Sequence, residues 1–334
     1  MAKVAINGLG RIGRATLKVV LDTPELELVG VNDIADKNNI AYLIKYDSVY
    51  GRFGENVHAS DGNLNIDDKK INFYSERDPA NLPWKELGVD IVFESTGFFK
   101  DQEQAGKHVK AGAKFVIISA PTSDAEIPTV VHGVSVIEDE HPQIISCASC
   151  TTNSITPVVE VIGRYFGIQK ALLTTIHGYT ASQGIVDSPH KSPRRGRAGA
   201  VNLVPTTTGA AIATTKALPQ YAGKFDGVSV RAPVPVGSIS DLVFLVKKDT
   251  SEKEVNAALR TEADTARYHD VMRVTDEPIV STDIIRDPHA AIIDAEMTKV
   301  VDGNLVKIFS WYDNEWGYTN QMVRRAKEIA QSIN

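Results

Sequence analysis

The chain has 334 residues, 43% of them hydrophobic and 23% charged, enough for roughly two domains with buried cores. Lys and Arg total 36 against 42 Asp and Glu, and this net charge of -6 argues against a dedicated nucleic-acid binder. Two cysteines exclude a disulfide scaffold and fit a reducing compartment, and neither a signal peptide nor a run of membrane-spanning length is evident. The expectation is a cytoplasmic two-domain protein.

The first half alternates strand-like and helix-like stretches. Val4 to Asn7 is a short apolar run, Arg14 to Leu21 continues at helical spacing, and Thr23-Pro24 stops it. Leu26 to Asn32 reads as a second strand, Asp36 to Tyr46 as a helix, and Val57 to Tyr74 as hairpins with turns at Asp61-Gly62-Asn63 and Asp67-Asp68. Apolar runs at Asp90 to Phe93 and Lys114 to Ile118 flank a polar helical stretch, Asp101 to Ala111. This rhythm predicts an α/β domain with a doubly wound, Rossmann-type parallel sheet. Beyond Ile144 the texture changes. A helix over Thr151 to Phe166 and a strand over Lys170 to Ile176 precede an irregular Gly-, Pro- and Arg-rich stretch, His177 to Pro205. Strands at Val228 to Ala232 and Ile239 to Lys247, a helix at Glu252 to Ala263 and a terminal amphipathic helix, Tyr318 to Ile333, predict an α+β domain on an antiparallel sheet.

Gly8-Leu9-Gly10-Arg11-Ile12-Gly13 follows the first strand and opens the first helix, with Asp33 twenty residues beyond Gly13. Alone, G-x-G-x-x-G is a weak signal. In this context it reads as a dinucleotide site, with Gly8, Gly10 and Gly13 permitting close backbone approach to a pyrophosphate at the helix N-terminus. Asp33 can accept hydrogen bonds from the adenosine ribose and repels a 2′-phosphate, which favours NAD over NADP. The bland alternative is three turn glycines and an acidic surface loop.

Ser149-Cys150-Thr151-Thr152-Asn153 sits where a strand gives way to a helix. The helix dipole and unpaired N-H groups are expected to lower the Cys150 thiol toward the thiolate, and the hydroxyls of Ser149 and Thr151 could bind an anion there. Cys147 and Cys150 form a C-x-x-C pair, but a zinc site would need two more ligands, so no metal is expected. A redox pairing of the two remains a secondary reading. His177 ends the apolar strand and can face Cys150 as general base. Lys191, Arg194, Arg195 and Arg197, with Arg231 and Thr206-Thr207-Thr208-Gly209, suit phosphate oxyanions, although several of these arginines are expected to be solvated or ion-paired instead.

The stretches Ile6 to Arg14, Asn32-Asp33, Asp78 to Trp84, Glu94 to Phe98, Ile118 to Pro121, Ala148 to Asn153, Thr175 to Thr180, His190 to Ala200, Pro205 to Ala211 and Trp311 to Tyr318 appear in order across both halves. The sequence there resembles the phosphorylating glyceraldehyde-3-phosphate dehydrogenases over essentially its whole length. The resemblance implies that Cys150 attacks the aldehyde of D-glyceraldehyde 3-phosphate, that His177 is its base, and that a thioester on Cys150 is released by inorganic phosphate as 1,3-bisphosphoglycerate. It implies NAD contacts at Arg11, Ile12, Asp33, Arg77, Thr96, Ser119 and Asn314. It places phosphate contacts at Ser149, Thr151, Thr180, Arg195, Thr208, Gly209 and Arg231. It also implies an NAD-binding domain over 1–149, a catalytic domain over 150–314, a helix over 315–334 that packs back on the first domain, and a homotetramer.

Four positions depart from the pattern. Ser182 stands where an Asp is common, Ser154 where many members carry a second cysteine, Cys147 where Asn is common, and Ser188 where NAD users carry a bulky apolar residue. A Ser188 hydroxyl would help accommodate NADP while Asp33 opposes it, so NAD with some NADP use is expected. Erythrose-4-phosphate dehydrogenase shares the scaffold, but Pro205 to Gly209 favours the triose enzyme. A cofactor-free Cys-His hydrolase conflicts with the glycine loop and Asp33. A purely binding role, in NAD sensing or RNA contact, would not require Cys150.

Overall fold

The computed structural model describes residues 1–135 and 142–333. The chain forms two compact units. One comprises Met1–Val130, a stretch ending at Ala148 and the chain from Met322 onward, and the other is centred on Ser149–Gln321.

The first unit is built on an eight-stranded sheet in the order Ile144–Ser146, Phe115–Ile118, Ile91–Glu94, Ala2–Asn7, Leu26–Asn32, Lys69–Tyr74, Asn63–Ile66, Val57–Ser60. The six strands from Ile144–Ser146 to Lys69–Tyr74 pair in parallel, and the last two continue antiparallel as hairpins. The central strands are apolar on both faces, as parallel strands covered by helices must be: Val4, Ile6, Ile91 and Phe93 on one face and Ala5 and Val92 on the other are all fully buried. The helix expected over Asp36 to Tyr46 is Lys37–Lys45. Asp36 is its N-cap, and its side chain accepts from the N-H groups of Asn38 and Asn39. Tyr46–Asp47 leaves the helix to form a short antiparallel pair with Gly51–Arg52.

The second unit carries a seven-stranded sheet in the order Val204–Thr207, Phe225–Ala232, Ile168–Gly178, Ser238–Val246, Leu305–Tyr312, Ala291–Val301, Met272–Thr275. It is mixed rather than wholly antiparallel, because Ile168–Gly178 pairs in parallel with Phe225–Ala232, and Met272–Thr275 with Ala291–Val301. Each parallel partner is reached by a long crossover, which alternation of apolar residues cannot reveal. The helix Cys150–Phe166 lies on one face. Ile155, Val158, Val159 and Ile162 join Leu173, Leu242, Phe244, Ile293 and Ile308 in one buried cluster.

Strand parity then places the functional side chains. Along Ile168–Gly178, Ala171, Leu173, Thr175 and His177 are buried, while Leu172 is exposed. Along Leu305–Tyr312, Val306, Ile308, Ser310 and Tyr312 point inward. His177 and Tyr312 therefore continue the two core-facing rows at the strand ends.

In the first unit, Gly8 has φ +90°, and a Cβ there would sit 2.8 Å from the Thr96 nitrogen. A Cβ on Gly13 would overlap the Gly8 carbonyl oxygen. Gly13→Ala is therefore expected to cost ~1–3 kcal/mol of unfolding free energy in urea titrations, since backbone is the obstacle and cannot swing aside. An unchanged midpoint would show that the turn has slack.

Candidate active site

In the second unit Ser149 caps the cysteine helix. Its extended backbone turns the chain, and its Oγ accepts from the Thr152 N-H at 3.1 Å. Immediately before it Ala148 adopts φ +55°, a left-handed conformation uncommon for a residue with a Cβ, so the turn into the helix is strained. Cys150 is the first helical residue, and its Sγ lies 3.3 Å from His177 Nε2. His177 Nδ1 lies 2.6 Å from the Gly178 carbonyl oxygen, an acceptor, so that carbonyl favours a proton on Nδ1 and a lone pair on Nε2 facing the thiol. Arg231 comes from the parallel neighbour strand, where it is in register with His177. Its Nη1 donates to the Gly178 carbonyl at 3.1 Å; it also lies 2.8 Å from Nδ1, where a guanidinium can only donate, so this contact opposes the Nδ1-protonated tautomer that the shorter carbonyl contact favours.

The surroundings push both groups toward their neutral forms. Burial pushes the Cys150 thiol up, and the Arg231 charge with the Thr151 N-H and hydroxyl pulls it down by less. This corrects the expectation of a depressed thiol, because desolvation of the sulfur outweighs the helix terminus. Burial, aided by the Arg231 charge, depresses His177 to about 3. Cys147 is fully buried and its thiol is pushed up to about 12, which suits a packed side chain and not a reactive one.

Tyr312 supports this pair and was not singled out in the sequence. Its buried hydroxyl bridges Thr151 Oγ1 at 2.8 Å and Thr175 Oγ1 at 2.7 Å, and its ring meets His177 edge-on with centroids 6.0 Å apart. The Thr151 hydroxyl is thus engaged with Tyr312, which leaves the helix-end backbone as Thr151's means of meeting an anion. Only the inward parity of a strand that the sequence reading left unassigned could have revealed Tyr312.

Around the pair, Arg195 donates to Thr206 Oγ1 at 2.8 Å and to the Thr207 carbonyl at 3.2 Å. The charge of Arg195 is felt at Arg231, so two guanidiniums share this neighbourhood. Thr208 Oγ1 accepts from the Ala210 N-H, and Gly209 caps the helix Ala210–Ala217 with open space where a side chain would be. The Thr180 hydroxyl bonds Ser182 at 2.9 Å. Arg197 is instead ion-paired with Asp187 on an exposed loop, the bland outcome expected for some of these arginines. Asn314 is buried, with its Oδ1 accepting from the Gly237 N-H and the Ser238 hydroxyl, so its Nδ2 is the group left to face a ligand.

The first unit holds a separate cavity of about 410 Å³, lined among others by Gly8, Gly10, Asp33, Arg77, Ser95 and Thr96. Asp33 is anchored by the Leu9 N-H on Oδ2 at 2.6 Å and the Ala35 N-H on Oδ1 at 2.9 Å. Gly10 has open space where a Cβ would stand, at the first turn of the helix Arg11–Leu21. Ser95 carries a buried Oγ with no partner, at a position the sequence reading passed over. An open helix N-terminus, a fixed carboxylate and an unsatisfied hydroxyl fit a dinucleotide. Arg11, Ile12 and Ser119 are not among the lining side chains. Arg11 pairs with Asp47 at 2.6 Å and lies over the Tyr50 ring, and the Ser119 N-H donates to the Glu94 carbonyl. Among the described residues no cluster of His, Cys, Asp and Glu could hold a metal ion.

Because burial raises the Cys150 thiol, its thiolate fraction should grow with pH. Iodoacetamide modification of the cofactor-free protein should therefore still be accelerating above pH 8.5, with Cys147 unmodified. A rate already constant below pH 7 would mean that thiolate and imidazolium coexist at rest.

The family model for the glyceraldehyde 3-phosphate dehydrogenase NAD binding domain matches residues 2–102, and that for the C-terminal domain matches residues 149–314. The glyceraldehyde-3-phosphate dehydrogenase of Thermotoga maritima is 50% identical over 327 residues, 97% of each chain. That of Streptomyces coelicolor is 47% identical over 326 residues, 96% of each. That of Geobacillus stearothermophilus is 46% identical over 332 residues, 98% of each. With both domain models matched in order and nearly full-length relatives of this similarity, the chain belongs to the glyceraldehyde-3-phosphate dehydrogenase family.

Proposed function

We propose that this protein oxidises D-glyceraldehyde 3-phosphate with NAD and phosphorylates the product to 1,3-bisphosphoglycerate, with Cys150 as nucleophile and His177 as base. The observation that carries this reading is the 3.3 Å approach of Cys150 Sγ to His177 Nε2 at a helix N-terminus beside Arg231. His177 Nε2 takes the thiol proton as the sulfur adds to the aldehyde carbon, and returns it to the oxygen, giving a thiohemiacetal. His177 then takes the hydroxyl proton as that carbon is oxidised, leaving a thioester on Cys150. Bound NAD supplies the hydride acceptor. A phosphate oxygen attacks the acyl carbon, the C–S bond breaks, and the departing sulfur recovers its proton from His177.

Two anions must be held, the substrate phosphate and the inorganic one. Ser149, Thr151, Thr208 and Gly209 offer hydroxyls and helix-end N-H groups, and Thr180, Arg195 and Arg231 add a hydroxyl and two guanidiniums. An anion meeting Arg231 would also offset the charge that disfavours protonated His177, so substrate arrival would make the base stronger. On the cofactor side Gly8, Gly10, Gly13, Arg11 and Ile12 form the pyrophosphate turn, Asp33 takes the ribose, and Arg77, Thr96 and Ser119 flank it. Asn314 offers Nδ2 to the nicotinamide amide. The fixed carboxylate of Asp33 supports NAD preference with minor NADP use.

A homotetramer is also part of this reading. The outer face of the second sheet exposes Leu172, Val228 and Leu305 with neighbouring Ile212, an apolar patch supporting burial against a second copy. No helix among the described residues is long and apolar enough to cross a membrane. A cytoplasmic location fits a chain with only two cysteines.

Initial rates of nicotinamide reduction with glyceraldehyde 3-phosphate, with and without inorganic phosphate, test the activity. Sustained phosphate-dependent turnover with NAD, lost in Cys150→Ser, is expected; phosphate-independent turnover would overturn the phosphorylating step. Lower efficiency with erythrose 4-phosphate and with NADP is expected in the same assay. Leu172→Asp with Ile212→Lys should reduce the particle mass in light scattering below that of four chains, and an unaltered tetramer would place the contacts elsewhere.

A further inference from the structure

Along the floor of the nucleotide cavity runs a chain of polar side chains, of which Trp84, His108, Glu94, Asn7 and Asn32 are buried and take no part in the reaction above. Trp84 Nε1 donates to His108 Nδ1 at 3.0 Å. Indole N-H can only donate, so Nδ1 is the acceptor, and the neutral imidazole carries its proton on Nε2. That nitrogen lies 3.0 Å from Glu94 Oε2 and donates to it. Asn7 Nδ2 donates to the same oxygen at 2.6 Å. Glu94 Oε1 accepts from the Thr96 N-H at 2.8 Å and from the Thr96 hydroxyl. Asn7 Oδ1 in turn accepts from Asn32 Nδ2 at 2.7 Å, and Asn32 Oδ1 accepts from the Glu76 N-H at 2.8 Å.

Asn7, Asn32 and Glu94 are the last residues of three adjacent parallel strands. Each is followed directly by a cavity element: Gly8 after Asn7, Asp33 after Asn32, and Ser95-Thr96 after Glu94. The Thr96 backbone held by Glu94 is also the surface against which Gly8 packs. Glu94 and His108 are buried completely, so the carboxylate depends on these four donors in place of water. Protonation of His108 on both nitrogens would break its bond from Trp84.

We infer that His108 is a positioning residue for NAD: with its tautomer set by Trp84, it holds the Glu94 carboxylate that ties three strand ends, and thereby the Gly8 turn, Asp33 and Thr96, into one rigid floor. The inference rests on the reading of this cavity as the NAD site. His108 touches none of the reacting atoms, so its effect should fall on cofactor affinity and not on the cysteine chemistry.

Isothermal titration of the full-length protein with NAD tests it. His108→Leu should raise the NAD Kd and KM about tenfold or more, the cost of one lost bond to a buried charge. The KM for inorganic phosphate and the alkylation rate of Cys150 should stay within about threefold. His108→Gln can donate to Glu94 and accept from Trp84, and should restore NAD affinity to within about threefold of the parent. A folded His108→Leu that binds NAD within twofold of the parent, whatever its melting temperature, overturns the inference. If His108→Leu does not fold, Trp84→Phe, which keeps a ring and removes only the N-H, decides in its place: a weakened Kd supports the inference and an unchanged one overturns it. Asp33→Ala separates the two readings. If it too leaves NAD affinity unchanged, the cavity is not the NAD site; if it weakens NAD while the His108 and Trp84 variants do not, only the positioning role fails.

Discussion

The chemistry proposed for the second unit depends on the contact between one helix start and one strand end. A cysteine sulfur 3.3 Å from an imidazole nitrogen requires that the strand present His177 on the face the helix covers. The two-residue period of Ile168–Gly178 ensures this, because His177 follows Ala171, Leu173 and Thr175 in the buried row. A slip of one residue would turn His177 to the outer face with Leu172. The packing of Leu173, Val158 and Ile162 thus guards the register on which the chemistry rests.

The same burial sets the charge state. A partly buried sulfur and a buried imidazole resist ionising, and the neighbouring Arg231 pulls the thiol down while pushing the imidazole further toward its neutral form. Tyr312 and the Thr151 and Thr175 hydroxyls form the scaffold behind the pair, joining the helix and two strands through one buried oxygen.

The nucleotide-binding unit solves a related problem with a buried carboxylate. Parallel strand ends point their backbones at the ligand, and something must hold adjacent ends at fixed offsets. Glu94, ringed by donors from His108, Asn7 and Thr96, does so without adding its own charge to the cavity lining, whose carboxylates are Asp33 and Glu76.

Local sequence determined much of this protein: the glycine turn and Asp33, the start of the cysteine helix at Ser149-Cys150, and the strand ending near His177 were legible from spacing and residue type. Those signals are local, since turns, caps and strand periods follow from a few neighbouring residues. Tertiary structure decided the rest. The strands Ala291–Val301 and Leu305–Tyr312 went unassigned although the Asp302-Gly303 turn between them is a local hairpin signal; which of their faces is inward, and their place in the sheet, came only from the tertiary structure. Parallel pairing in the second sheet, the resting protonation of Cys150, and the roles of Tyr312 and Ser95 were equally out of reach of the local pattern. Each depends on burial or on a partner more than a hundred residues away, as Tyr312 is from Thr151 and Thr175, and no short-range pattern encodes which distant side chain will exclude water from a given atom.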